Sequence, residues 1–342
     1  MFGSAREFSN SIFSCGQTYV ALSRVNSQKG LHLINFDPSN IKAQIAAIKE
    51  YNRLRAKCRP DLNKIPLKHN KNIHPISDLS IPGFSNLDAI SCYANASLQV
   101  IFNCTRILNI LINSLEDTIL KKLAYSYTSQ VCQLSAFSIR NQIGHPYVNI
   151  EQQDAAEFIS ALISLYEPLH NSLLHQLQTI LKCSRCKKSR VIISNNYIIQ
   201  LNVPNDTKTV TMHSMLNDMS KEVTIENITC SACNTTSNHT QTTNILNTHE
   251  YLYFQIQLWS DVNAKITNLQ INSLTTSTLT VHSKCYTLNS VICHHGQSMT
   301  EAHYTAIIKH QNKWVRCNDT SVQFERWPRG AKDVYIIIME KK

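Results

Sequence analysis

Two Cys-x-x-Cys pairs, Cys183-Ser184-Arg185-Cys186 and Cys230-Ser231-Ala232-Cys233, constrain this chain more than any other feature it carries. Four thiols are the ligand set of a tetrahedral structural zinc site, and such a site brings two distant stretches to one point. The 44 positions from Cys186 to Cys230 are more than a compact zinc ribbon needs. They suit two long hairpins pinched at their tips, with the polar, hydroxyl-rich stretch after Cys233 as an exposed fingertip. The expected cofactor is therefore one zinc ion with a structural role and no catalytic one. The other cysteines, including Cys104, Cys132, Cys285, Cys293 and Cys317, read as small core residues.

Twelve cysteines would suggest disulfides in an exported protein, but Met1-Phe2-Gly3-Ser4-Ala5-Arg6 is followed by no apolar h-region. A reducing compartment, cytoplasmic and/or nuclear, is the expectation. No stretch approaches the ~20 apolar residues that cross a bilayer, so no membrane partner is expected and the protein reads as a soluble monomer. The net charge of +10 is unevenly placed, with 12 Lys/Arg against 5 Asp/Glu in residues 1–79. A basic arm of this kind is either a weak nucleic-acid contact or a solvated linker. Lys57, Arg59, Pro60, Lys64, Pro66, Lys68, Lys71 and Pro75 leave no sustained period, so residues 57–80 read as a basic linker between units at 1–56 and 81–342.

From Cys92 onward, Leu98, Ile101, Phe102, Ile107, Ile110 and Leu111 recur at helical spacing, which starts a helix at Cys92. A helix N-terminus favours a thiolate. A second helix places Ala155, Phe158, Ile159, Leu162, Leu165 and Tyr166 on one face. After Cys183 the rhythm turns β, with strand-like runs at Arg190–Val203, Tyr251–Leu258, Leu288–His294, Tyr304–Lys309 and Val334–Met339. Helices precede strands, so the fold class is α+β.

Cys92 lies in Gly83-Phe84-Ser85-Asn86-Leu87-Asp88-Ala89-Ile90-Ser91-Cys92-Tyr93-Ala94-Asn95, and far downstream come Ala302-His303-Tyr304, Trp314 and Asn318-Asp319. A thiol nucleophile, an imidazole base and a polar orienter are thus available for cysteine-protease chemistry. Together with Gln152-Gln153-Asp154-Ala155-Ala156-Glu157-Phe158, these phrases resemble the Cys box, His box and intervening acidic element of the ubiquitin-specific proteases.

The resemblance implies a papain-like cysteine protease fold with a helical thumb (81–180), zinc-pinned β fingers (181–248) and a β palm (249–342) whose central strand is Tyr251–Leu258. It implies a deubiquitinating thiol protease that takes ubiquitin or ubiquitinated proteins as partner. Cys92 would be the nucleophile and His303 the base. Asn318, with Asp319 second, would accept the imidazole Nδ1–H so that Nε2 faces the thiol. Asn86 would be the side-chain oxyanion donor, Asp154 and Glu157 would meet the basic tail of ubiquitin, and Cys183, Cys186, Cys230 and Cys233 would hold the zinc.

Three places depart from the family's pattern. Asn86 stands one residue farther from Cys92 than usual, Ala89-Ile90-Ser91 replaces Gly-Asn-Thr, and Ala302 replaces the glycine beside the histidine. A ubiquitin-binding module with weakened turnover is the competing expectation, and a helicase-associated DNA-binding protein is a third.

That third reading comes from residues 8–55. Gly16-Gln17-Thr18-Tyr19-Val20-Ala21-Leu22-Ser23-Arg24-Val25-Asn26 and Leu33-Ile34-Asn35-Phe36-Asp37-Pro38 resemble the last motif and C-terminal end of the Pif-type helicases, including those of Helitron transposons. The resemblance implies that Arg24 once reached the γ-phosphate of ATP from the segment that also holds Gln17 and Tyr19. A Gly-x-x-x-x-Gly-Lys-Ser/Thr loop is missing from the sequence, so the segment reads as a helicase remnant and no nucleotide cofactor is expected.

Overall fold

The computed structural model describes residues 4–7, 31–34, 45–58, 81–131, 134–149, 151–204, 207–259, 265–266, 269–296, 303–327 and 330–342. Gln17, Tyr19, Arg24, Cys132, Ala302 and most of the expected linker lie outside the described residues. The chain forms two compact units, Met1–Ser77 and Asp78–Lys342. In the first, β1 (Ser4–Glu7) pairs in parallel with β2 (Leu31–Ile34), and α1 spans Ile45–Cys58.

The second unit opens with β3 (Phe84–Ser85) and a helical lobe of α2 (Cys92–Asn103), α3 (Thr105–Asn113), α4 (Ile119–Thr128), β4 (Leu134–Ser135), α5 (Phe137–Ile143), α6 (Ala155–Leu165) and α7 (Glu167–Leu173). Small residues at Ala94, Ala96 and Ser97 let α2 sink into the core, and every residue from Cys92 to Phe102 is buried. The expected single helix from Cys92 through Leu111 is broken at Cys104, which is extended. There the thiol reaches the Val100 carbonyl at 3.3 Å and the Tyr253 hydroxyl at 3.4 Å. The break has a packing cause. α2 is enclosed on all sides, whereas α3 buries only Ile107 and Leu111 and must run along the surface. In α6 the predicted stripe of Ala155, Phe158, Ile159 and Leu162 is buried, but Leu165 ends the helix exposed and Tyr166 turns inward in its place.

The strands that follow are β5 (His175–Cys183), β6 (Ser189–Asn196), β7 (Ile199–Asn202) and β8 (Thr209–Val210), then α8 (Met212–Met219), β9 (Val223–Thr229) and β10 (Thr236–Ile245). An antiparallel sheet ordered β6-β5-β10-β9 is built from two hairpins whose turns carry the two cysteine pairs. The Arg190–Val203 run, read as one strand, is in fact two. β6 is exposed along its length, while β7 alternates buried and exposed and joins a different sheet, so the chain changes layers at Tyr197–Ile198. The hydroxyl-rich stretch after Cys233 is exposed at the tip, at Asn234, Thr236 and Asn238, and continues from there as the inner strand β10. Threonine suits a pleated backbone, and a sheet wet on both faces needs no apolar alternation.

The last layer comprises β11 (Tyr251–Gln257), β12 (Gln270–Asn272), β13 (Leu279–Val281), β14 (Lys284–His295), β15 (His303–His310), β16 (Lys313–Asn318), β17 (Ser321–Glu325), β18 (Gly330–Ala331) and β19 (Val334–Lys341). Its main sheet runs β17-β16-β15-β14-β19-β11-β7, with β13 beside β14. Tyr251–Phe254 and Val334–Met339 are buried residue after residue, which explains their unbroken apolar runs. α2 packs across β14 and β15. Among the described residues no helix is long and apolar enough to cross a membrane.

His175, where the helical lobe passes into β5, is fully buried 5.7 Å from the His249 ring, and neither of its nitrogens has a partner. Burial, helped by His249, pulls its pKa down to about 3. The fold holds this ring neutral, so the penalty begins as pH falls below the ordinary value near 6.5 and grows toward the folded value. At about 1.36 kcal/mol per unit, roughly 2 kcal/mol of stability is lost by pH 5. Denaturant melts at pH 7 and pH 5 check this, and His175→Leu is expected to flatten the difference.

Candidate active site

Cys92 is the first residue of α2, where the macrodipole and unpaired N–H groups favour negative charge. The thiol is nonetheless only 1% exposed. Burial pushes its pKa up to about 12, against a hydrogen bond from the Tyr304 backbone and with the charge of Asp319 adding to the rise. The helix end favours a thiolate, but removal from water outweighs it, so the sulfur is held toward the thiol form and needs a base to react. The bond to Tyr304 places that thiol against β15 next to His303, the first residue of the strand.

His303 is buried, and its Nε2 donates to Asn318 Oδ1 at 2.7 Å from the end of β16. The expected tautomer was the reverse. Nε2 is the far atom of the ring and reaches the adjacent strand, which leaves Nδ1 with the acceptor lone pair. Burial holds His303 below the usual imidazole range, against the charge of Asp319 and the Asn318 hydrogen bond, so the ring is neutral near pH 7. A neutral imidazole is the form that accepts a proton.

Asp319 sits at φ 51° beyond Asn318, and its two carboxylate oxygens accept from Asn86 Nδ2 at 2.9 Å and Asn95 Nδ2 at 2.8 Å. Asn86 Oδ1 in turn accepts from Ser91 N–H at 2.9 Å. One N–H of the expected oxyanion donor is thus spent on tying the loop before Cys92 to the Asn318–Asp319 turn. Gly83 makes that approach possible, since a Cβ there would lie 2.7 Å from Thr320 Cα and 2.8 Å from the Asp319 carbonyl oxygen. Gly83→Ala is expected to lower stability by ~1–3 kcal/mol by overpacking and to reduce turnover with it. Thermal melts and steady-state kinetics on the variant check both.

Gln152 was not singled out in the sequence, although it opens the Gln-Gln-Asp run. Its Nε2 lies 3.6 Å from Cys92 Sγ, which puts a side-chain amide donor at the thiol. No spacing rule reports that proximity, because the two residues are 60 positions apart and meet only through the fold.

Asp154 caps α6, its Oδ1 accepting from Ala156 N–H at 2.7 Å and Glu157 N–H at 3.0 Å. Its Oδ2 accepts from the hydroxyls of Tyr335 at 2.5 Å and Tyr304 at 3.4 Å. Glu157, one turn on, points its carboxylate into the same open cleft of about 550 Å³, lined also by Asn196, Tyr197, Gln255 and Tyr335. Burial and then the Asp154 charge hold Glu157 above the usual range.

At the fingertips the sulfurs of Cys183, Cys186, Cys230 and Cys233 all lie within 4.8 Å of one another, and Cys186 and Cys230 are 3.7 Å apart. Tetrahedral zinc with bonds of ~2.3 Å sets sulfurs about 3.8 Å apart, so the quartet fits that ion. The Ser237 hydroxyl, 3.4 Å from Cys183 Sγ, draws that thiol down, while against a backbone bond at Lys188 burial and the three neighbouring sulfurs hold Cys186 up.

The chain matches the family described as ubiquitin carboxyl-terminal hydrolase over residues 82–338. No curated protein matches it.

Proposed function

The chain belongs to the ubiquitin carboxyl-terminal hydrolase family and is a cysteine-type deubiquitinase of papain-like fold, and from this premise we propose that Cys92 is its nucleophile and His303 its general base. One observation carries the assignment: the Cys92 thiol is bonded to the Tyr304 backbone, beside a histidine whose ring Asn318 holds at 2.7 Å. His303 Nδ1 takes the thiol proton as sulfur adds to the carbonyl carbon of ubiquitin's last glycine. The imidazolium then protonates the leaving lysine amine, and water hydrolyses the acyl-enzyme. The Cys92 backbone N–H, Gln152 Nε2 and the remaining N–H of Asn86 serve the developing oxyanion.

Glu157 meets the basic tail of ubiquitin in the cleft, with Asp154 holding the helix end and Tyr335 in place. Zinc at Cys183, Cys186, Cys230 and Cys233 cross-links the two hairpins and takes no part in the reaction. With cysteines assigned to the zinc site, the nucleophile and the core, the protein is read as a monomer working in a reducing cytoplasm or nucleus. The wording around Arg24 supports a helicase remnant in residues 1–56, and the surplus of lysine and arginine in residues 1–79 supports a weak, salt-sensitive nucleic-acid contact.

The raised thiol and the altered loop favour a second reading, a module that grips ubiquitin but turns over slowly. Ubiquitin bearing a C-terminal electrophile separates the two. Labelling that disappears in Cys92→Ala supports the enzyme, whereas binding without labelling leaves the module.

A further inference from the structure

Arg140, near the end of α5, is 3% exposed and is absorbed by none of the roles above. Its guanidinium faces two segments at once. On one side Nη1 pairs with Asp88 Oδ2 and donates to Ser91 Oγ at 2.6 Å. On the other, Nε donates to the Tyr147 carbonyl at 2.9 Å and Nη2 to the Asn149 carbonyl at 3.1 Å. The first segment is the loop that ends in Cys92, and the second leads to Gln152. Five donors in a rigid plane can satisfy such a divided set, and no other side chain offers that geometry.

The loop needs holding. Ala89 has a φ of 60°, a left-handed conformation that costs a residue with a β-carbon ~1–2 kcal/mol. Asp88 fixes it from within, with Oδ1 accepting from Ile90 N–H at 3.2 Å and Ser91 N–H at 3.1 Å, and Oδ2 from Ser91 Oγ at 2.8 Å. Those bonds orient the loop, and Arg140 anchors Asp88 to the core.

We propose that Arg140, acting through Asp88, is a positioning residue that sets the backbone N–H of Cys92 and the amide of Gln152 at a fixed separation around the reacting carbonyl. This rests on the reading of Cys92 as nucleophile. It predicts a defect in turnover rather than in ubiquitin binding, because neither partner lies in the cleft lined by Glu157 and Tyr335.

The test uses Arg140→Lys, which keeps the charge but loses the fork, and Asp88→Asn, which keeps the Oδ1 acceptor but turns a donor toward the guanidinium. Three quantities are read on the full chain: melting temperature, kcat and KM for a C-terminal ubiquitin amide, and the pH profile of Cys92 alkylation by iodoacetamide. Both folded variants are expected to lose kcat by ~10–10²-fold, the order of a misplaced oxyanion donor, with KM within about twofold and a shifted alkylation profile. Unchanged kcat and an unchanged profile in either folded variant overturn the proposal, as does a loss confined to KM. Should Arg140→Lys fail to fold, Asp88→Asn, at a partly exposed site, decides alone. If the wild-type protein hydrolyses nothing, the nucleophile reading has failed, and the alkylation profiles still report whether Arg140 and Asp88 position the thiol.

Discussion

His303→Ala is expected to lower kcat for ubiquitin C-terminal hydrolysis by ~10²–10⁴-fold while ubiquitin binding persists. The size of the loss follows from the thiol. With its pKa pushed up to about 12, Cys92 holds almost no thiolate near neutral pH, so the reaction needs a base in place when the substrate carbonyl arrives. Without the imidazole the residual rate depends on free ionisation of the sulfur. It should therefore climb about tenfold per pH unit between pH 7 and 9, where the parent enzyme is nearly flat. Steady-state rates against pH for the two proteins check both points.

Asn318→Ala should reproduce part of the defect, because the ring keeps its proton acceptor but loses the 2.7 Å bond that orients it. Asp319→Ala acts differently. It frees Asn86 and Asn95 together and loosens the loop before Cys92, so its stability loss should exceed that of Asn318→Ala. A histidine variant with full activity and a flat pH profile would remove His303 from the mechanism.

With zinc at the fingertip quartet as proposed, Cys230→Ser is expected to empty that site and to detach substrate recognition from chemistry, because β6 runs into the wall of the Glu157 cleft at Asn196. The two hairpins bury little of their own. β6 is exposed along nearly its whole length, Val191 and Ile193 are about half exposed, and β9 has no fully buried residue. Such hairpins have only their ladder bonds and the pinned tips to hold them. Structural zinc in small domains is worth on the order of 10 kcal/mol, far more than these strands gain from packing. The variant should lose about one zinc per chain, become open to proteolysis between residues 184 and 240, and bind ubiquitin at least ~10-fold more weakly, roughly 1.4 kcal/mol. The helical lobe and the β14–β19 core, buried independently of the fingertips, should melt as before. Metal analysis, limited proteolysis and binding titration give the answer, and one retained zinc with intact fingers would refute the pin.

Much of this arrangement is legible in the chain because local chemistry repeats itself in the residues. The buried stripe of α6, the cysteine pairs at the hairpin turns and the apolar runs of β11 and β19 need no partner to be recognised. Three stretches were decided by partners that local chemistry does not show. The helix from Cys92 stops at Cys104 because α2 is enclosed in the core whereas α3 has to run along the surface. The run around Tyr197 divides because its two halves meet different sheets. Threonines after Cys233 form an inner strand because both faces of that sheet are wet.

What the linear sequence determined was a set of candidate groups, with Cys92, His303 and Asn318 in the order and company that the proposed chemistry requires, and the class of layers that carries them. Their working states belong to the tertiary structure alone: a neutral thiol at a helix end that would favour its anion, an imidazole turned so that Nε2 meets Asn318, a glutamine at the sulfur, and an arginine joining two walls of the site. Each depends on distance and exclusion of water between groups far apart along the chain, and electrostatic energies follow those quantities rather than residue order.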